Sequence, residues 1–381
     1  MKPKAMRLLV VPVLMAALSA CGTTETKPAS SSAGTPAPAP AAANTTKEAD
    51  ANKPLTLEQI TEKAKQEGTV VSVGMPDTWA NWKDTWADIL SKYGIKHTDT
   101  DMSSAEEIAK FEAEKDKPTA DIGDVGMAFT SVAVEKGVVQ PHKVSTWDKI
   151  PDWAKDKDGN WVVGYTGTIA FMTNTKLVPN PPKSFDDILK GNYKVAIGDV
   201  AKASQAQNAI LAAAMAYGGD EKNIQPGIDF FEKLSKQKRI SLADVKVANF
   251  EKGEIEVALV WDFNALGYKD QLKSADYDIS IPKEASVIGA YATIINKYAP
   301  HPNAAKLAQE YILSDAGQIN LAKGFARPIR DDVKLPADVA SKLVPSEQYK
   351  NAKPIKDFKA WDATSKAIPQ LWEEKVLVNL N

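Results

Sequence analysis

The chain has 381 residues, 44% of them hydrophobic and 25% charged, with a formal net charge of −2. That length exceeds what one compact core usually serves, so two domains are expected. The balance supplies no basic field for nucleic acid, and no stretch beyond residue 20 is long and apolar enough to span a membrane.

Met1 to Ala20 has a basic start (Lys2, Lys4, Arg7), an apolar run from Leu8 to Leu18 and small residues before a cut site. This is the pattern of a secretory signal peptide, 1–20, too short for a membrane span. Leu18-Ser19-Ala20-Cys21 resembles the lipobox of bacterial lipoproteins, which implies lipidation of Cys21. Cys21 is the chain's one cysteine, so no internal disulfide can form. Residues 21–54 are mostly Ala, Pro, Ser and Thr with Pro-Ala-Pro-Ala-Pro at 36–40. They cannot bury a core and read as a disordered tether with a span of roughly 30 Å.

The body opens with a helix near Leu55, where Thr56 and Gln59 have capping-box spacing and Gly68 is the stop. Gly68 to Trp79 reads as a buried strand (Val70, Val71, Val73) that ends at Gly74 and Pro76. A helix follows with Trp82, Trp86, Ile89, Leu90 and Tyr93 on one face. A strand running through a polar turn into a helix N-terminus is a common ligand-site geometry. Ser104 with Glu107 reads as a second capping box, heading a helix with Ile108 and Phe111 inward. Ala120 to Phe129 is the next strand. Trp161 to Asn174 is a long strand-like run interrupted by glycines.

A second series follows: a capped helix over 184–190, a strand over 194–199, and a helix headed by Ser204 and Gln207 as a third capping box. Glu254 to Val260 is a strand that delivers Trp261-Asp262-Phe263-Asn264 at its carboxyl end. Strands over 277–281 and 286–296, helices over 303–313 and 316–323, and a helical stretch from Phe358 to Leu377 broken by Pro369 complete the chain. Strands alternating with helices define an α/β fold. The glycines near Gly164 and the return near Ala285 suggest two lobes joined by crossing strands.

Catalytic signatures are missing from this pattern: no G-x-S-x-G, H-E-x-x-H, P-loop or C-x-x-C occurs. His97, His142 and His301 are isolated from one another and read as surface or loop residues. No enzyme, cofactor or metal is expected.

The order of features resembles the extracellular solute-binding proteins of bacterial ABC importers. The matching pieces run from about Leu55 to Leu335. They include A-D-I-G-D-V-G-M at 120–127, G-Y-T-G-T-I-A-F-M-T-N-T at 164–175, S-F-D-D-I-L-K-G-N-Y-K at 184–194 and G-E-I-E-V-A-L-V-W-D-F-N-A at 253–265. N-K-Y-A-P-H-P-N at 296–303 and G-F-A-R-P-I-R at 324–330 resemble the subgroup handling ferric iron, polyamines, thiamine and phosphonates. The resemblance implies a type II periplasmic-binding fold with a ligand cleft between two α/β lobes. The first lobe would be 55–164 with 285–335, the second 165–284 with 336–381. It also implies a monomer that closes on a small solute and presents it to membrane permease subunits, held by its lipid anchor at the outer face of the plasma membrane, or at the periplasmic side if the source has two membranes. Sensing in place of transport is the alternative.

In such a fold the ligand meets the turns after the strands. Carried onto this sequence, the ligand-binding residues are Asp77, Thr78, Trp79, Ser103, Ser104, Asp124, Tyr165, Thr166, Ser204, Trp261, Asp262, Asn264 and Tyr291. Trp261 and Asp262 have the fewest local explanations and are the first choice. Asp77, Asp124 and Asp262 among Trp79, Tyr165, Trp261 and Tyr291 suit an organic cation such as a polyamine, because carboxylates pair with ammonium groups and aromatic faces attract them. Ser103, Ser104, Ser204 and Thr166 at helix starts suit an anionic group such as a phosphonate. No Tyr-Tyr pair of the kind used by ferric-iron relatives is present, which leaves a chelated iron complex as the iron-containing alternative.

Overall fold

The computed structural model describes residues 55–380; the expected signal segment, Cys21 and the tether lie outside them. Among the described residues, no helix is long and apolar enough to cross a membrane.

Ten strands form the sheet, in chain order β1 (Thr69–Val73), β2 (Lys96–Thr100), β3 (Ile122–Gly126), β4 (Val162–Asn174), β5 (Val195–Ala196), β6 (Val257–Trp261), β7 (Tyr277–Ser280), β8 (Ser286–Ile295), β9 (Arg327–Pro328) and β10 (Ala352–Pro354). The main path runs β2-β1-β3-β8-β4-β6-β5. β1 lies parallel to both β2 and β3, and β5 lies parallel to β6. β8 and β4 join these parallel halves by antiparallel pairing. β4 is buried along its whole length. Its first part pairs with β8 and its second with β6, so the chain passes from one half to the other within a single strand. β8 brings it back. The switch of partner falls between Thr168 and Ile169, within the glycine-interrupted run 161–174.

Glycines at the crossing make room for rings. A Cβ on Gly289 would lie 2.0 Å from Trp261 Cη2, and one on Gly167 would lie 2.5 Å from Phe263 Cε1. Val70, Val73, Ile122 and Val125 on one side, and Val257, Leu259 and Val260 on the other, bury fully and anchor each half. The helix Trp82–Tyr93 turns Trp82, Trp86 and Ile89 inward, but Leu90 is 49% exposed and leaves the expected apolar face. The last long helix, Phe358–Lys375, packs on the helix Gln225–Lys236 and on Met127–Phe129. It continues through Pro369 where the sequence suggests a break.

The caps sharpen the reading of the helix starts. Thr56 and Gln59 form the expected reciprocal box. The helix Ser104–Ala113 has Ser103 as its N-cap, whose N and Oγ both donate to Glu106 Oε2. The cap thus lies one residue before the expected Ser104–Glu107 pair. That shift frees Ser104 and Glu107, which face inward with Ile108 and Phe111. The helix Ser204–Ala216 has Ala203 at its N-cap and no side-chain cap, and Gln207 donates to Val200 O. The expected box is absent there.

The three histidines are more embedded than their spacing suggests. His97 stacks on Trp86 at 3.8 Å, His142 contacts Glu310, and His301 contacts the buried Asp121.

Candidate functional site

The carboxyl ends of the strands in both halves open onto one cavity of about 440 Å³, as expected for an α/β sheet. The turn after β1 contributes Pro76 and Trp79, the turn after β2 contributes Ser103 and Ser104, and the end of β3 contributes Asp124. From the other half come Ser204 and Gln205 at a helix start, and Asn264 and Tyr268 from the helix Asp262–Leu272 that follows β6. Tyr291 of β8 stands at the junction.

Trp79 is held by an unusual turn. Ala80 and Asn81 both have positive φ, 48° and 58°, a conformation non-glycine residues rarely take. Asn81 Nδ2 fixes the turn by donating to Asp84 and to Asn320 O, both at 3.0 Å. The Trp79 indole then sits edge-on to Phe263 at 5.3 Å and to Tyr291 at 5.5 Å. Its Nε1 donates to Tyr165 Oη (2.6 Å), and Tyr165 Oη donates to Asp124 Oδ2 (2.6 Å). Tyr165 also stacks on Tyr291. One chain of hydrogen bonds and ring contacts thus runs from the cavity wall to a buried carboxyl group.

That carboxyl has a neighbour. Glu107 Oε2 accepts the Asp124 backbone N–H at 3.0 Å. Gly74 and Gly123 make space for it, since a Cβ on either would lie within 2.5 Å of a Glu107 oxygen. Among the described residues, Asp124 Oδ1 and Glu107 Oε1 are buried and have no hydrogen-bond partner, although both residues line the cavity. Burial pushes both carboxyl groups well above the usual range, and Asp124 raises Glu107 further. A buried acceptor without a partner is uncommon in folded proteins and calls for an explanation. Nearer the mouth, Asp101, Glu106, Asp199 and Asp244 outnumber Lys202 and Lys246.

The thirteen expected ligand-binding residues divide. Trp79, Ser103, Ser104, Asp124, Ser204, Asn264 and Tyr291 line the cavity together. Tyr165 lies directly behind Asp124. Asp77 and Thr78 are solvent-exposed and outside the cavity lining. Thr166 is buried in the sheet opposite Ala290 and Arg327. Trp261 and Asp262, the first choice from sequence, face the crossing strands. The Trp261 ring covers Gly289 and donates to Tyr291 Oη at 3.1 Å. Asp262 Oδ1 accepts the Thr168 and Phe263 N–H groups, and Oδ2 accepts from Tyr349, so this carboxylate fastens the start of its own helix. The alternation of a strand sends neighbouring side chains to opposite faces, and the turn into the helix sets which one meets the cavity. That choice is not visible in the sequence.

Glu107 and Tyr268 are lining residues that the sequence reading misses. Capping-box spacing points Glu107 to a cap, although a glutamate spaced with Ser104, Ile108 and Phe111 on an inward face is a usable signal. Among the described residues, no group of three or more His, Cys, Asp or Glu is placed to hold a metal ion.

The architecture has many solved counterparts. The periplasmic binding protein AfuA from Actinobacillus pleuropneumoniae, with fructose 6-phosphate bound, matches with a TM-score of 0.67 at 20% identity, over 81% of this chain and 98% of its own. The Atu4243–GABA receptor matches with a TM-score of 0.63 at 17% identity, over 80% and 96%. These likenesses identify the two-lobed type II periplasmic-binding fold. In sequence, an uncharacterized protein of Haemophilus influenzae is 26% identical over 311 residues, 75% of this chain and 84% of that one. A family model described as bacterial extracellular solute-binding protein matches residues 117–357, more than half of the chain. This chain belongs to the bacterial extracellular solute-binding proteins.

Proposed function

We propose that the protein is the solute-capturing component of an ABC import system and that its solute carries an ammonium group. One observation supports this above the others: Asp124 Oδ1 and Glu107 Oε1 are buried acceptors without partners at the wall of the cavity between the sheet halves. An ammonium group supplies up to three donors to such a pair. The aromatic edges and faces of Trp79 and Tyr291 suit the same charge, and the acidic excess at the mouth draws cations toward it.

In this reading the lobes are 55–164 with 285–335 and 165–284 with 336–381. Cys21 carries the lipid anchor, the tether lets a monomeric body search near the outer membrane face, and the closed form engages permease subunits. The protein binds and releases its solute without changing it. The Atu4243–GABA receptor, which shares the fold, supports the amine reading.

A thermal-shift screen of the full chain with putrescine, spermidine, thiamine, 2-aminoethylphosphonate and ferric citrate tests the reading. An amine at a hundred times its Kd stabilises by about 2.7 kcal/mol. Asp124→Asn should abolish that shift. Stabilisation by ferric citrate with none by any amine would overturn the amine assignment.

A further inference from the structure

The cavity has a second end with the opposite preference. Ser104 Oγ accepts the Gly126 backbone N–H at 2.9 Å. Ser204 Oγ accepts from Asn208 Nδ2 at 3.2 Å. Each hydroxyl therefore already uses an acceptor position. Among the described residues, neither hydroxyl has an acceptor for its own proton. Both side chains line the cavity, and the residues are only 8% and 9% exposed. They flank Gly126 from opposite halves of the sheet: a Cβ there would lie 2.8 Å from Ser204 Oγ and 3.8 Å from Ser104 Oγ. Ser204 also opens a 13-residue helix without a side-chain cap, and Ser204 and Gln205 at its start both line the cavity. Lys202 lies at the same edge.

The two ends are in register. Glu107 pairs with Asp124 and Ser104 pairs with Gly126, so the helix Ser104–Ala113 lies beside the end of β3. Two residues of strand separate the acceptor end from the donor end, roughly 6–7 Å. We propose that the solute is a small zwitterion. Its ammonium group meets Asp124 Oδ1 and Glu107 Oε1. Its anionic group, a carboxylate or phosphonate, lies between the Ser104 and Ser204 hydroxyls at the helix start. This rests on the amine reading and adds to it the identity of the other end. It also accounts for a cavity that holds buried acids and an uncapped helix together, which a simple cation or a simple anion does not.

Calorimetric titration of the full chain with 3-aminopropanoate, 4-aminobutyrate, 5-aminopentanoate and 2-aminoethylphosphonate, beside putrescine and butyrate, tests it. At least one zwitterion should bind tenfold or more tightly than both putrescine and butyrate. Ser204→Ala is the discriminating variant, because Asn208 keeps its bond to Ser204 O at 2.8 Å and the fold is spared. It should weaken the best zwitterion about tenfold and putrescine much less. Equal losses for both ligands would assign the hydroxyl a structural role and overturn the proposal. Putrescine binding as tightly as every zwitterion would overturn it while leaving the amine reading intact. Butyrate binding without any amine would overturn both, and no binding by any zwitterion at millimolar concentration would overturn the zwitterion assignment.

Discussion

Gly126→Ala separates closure from folding. Gly126 has φ −57° and ψ 141°, a backbone conformation that alanine adopts without strain. The substitution therefore costs nothing locally and removes some freedom from the unfolded chain, which favours the fold by about 0.4–1 kcal/mol. What it meets is the other half of the protein. The new Cβ would lie 2.8 Å from Ser204 Oγ and 3.0 Å from Ser204 Cβ, whereas ordinary contact begins near 3.4 Å. The hydroxyl can rotate, but Ser204 Cβ is fixed to its helix. The two walls must then part by about 0.4–0.6 Å. Overpacking of this size costs about 1–3 kcal/mol. Two lobes joined by crossing strands can relieve it by opening, so the loss falls on the ligand-bound form. The expected outcome is a 5–150-fold weaker Kd for the best zwitterion by calorimetry, with a melting temperature in the absence of ligand equal to or above that of the wild type. An unchanged Kd would refute the reasoning. So would a fall in melting temperature comparable with the affinity loss, because the Gly126–Ser204 contact would then belong to a rigid core.

Gly289→Ala tests the crossing itself. Its Cβ would fall 2.0 Å from Trp261 Cη2, in a ring held by Tyr291 and by the pairing of Trp261 with Ile169. The expected loss is about 1–3 kcal/mol or more, read as a lower urea midpoint at unchanged m-value, and an unchanged midpoint would refute the packing argument. His97→Gln tests acid sensitivity. Burial pulls the His97 imidazole from 6.5 to about 4, and its neutral Nε2–H donates to Ser72 Oγ, which donates in turn to Asp99. The folded-state value lies below the unfolded one, so the native state resists protonation and stability is lost as pH falls from 6.5 toward 4, by up to about 3 kcal/mol. The buried acids Glu107 and Asp124 shift the other way. The informative quantity is therefore the difference between wild type and variant, measured by urea denaturation at pH 7 and pH 4.5. The wild type should lose stability relative to the variant at the lower pH, and a pH-independent difference would refute the assignment.

The sequence carries the fold well because hydrophobic periodicity and glycine placement are local signals. β4 and β8 are legible as long strands because a strand buried on both faces is largely apolar. The site is legible at Trp79 and Ser104, which follow the turns after β1 and β2. It is not legible at Trp261 and Asp262. Whether a residue at a strand end meets the cavity or the sheet interior is set by one residue of register, and that register is fixed by distant partners such as Gly289 and Tyr349. Glu107 was hidden for a different reason. Ser103 and Ser104 are both plausible caps with a glutamate three residues later, and shifting the cap by one residue exchanges the exposed Glu106 with the fully buried Glu107.

That exchange bears on how the site works. Glu107 and Asp124 are the kind of buried acids that a protein selected for stability alone would pair or replace. Here Asp124 has one oxygen held by Tyr165 and the other without a partner. Glu107 has one oxygen on the Asp124 backbone and the other without a partner. Half of each group serves the fold, and half has no bond within the protein. Two residues further along β3, at Gly126, the Ser104 and Ser204 hydroxyls repeat the arrangement with opposite polarity. A ligand can drive closure only through contacts that improve when the two sides meet, and Ser204 reaches Gly126 from the other half of the sheet. The partnerless atoms therefore gather where the two halves of the protein approach each other. A solute that satisfies both ends at once converts its own binding energy into closure, whereas one held by Asp124 and Glu107 alone, both on one half of the sheet, leaves the Ser204 wall without a reason to move.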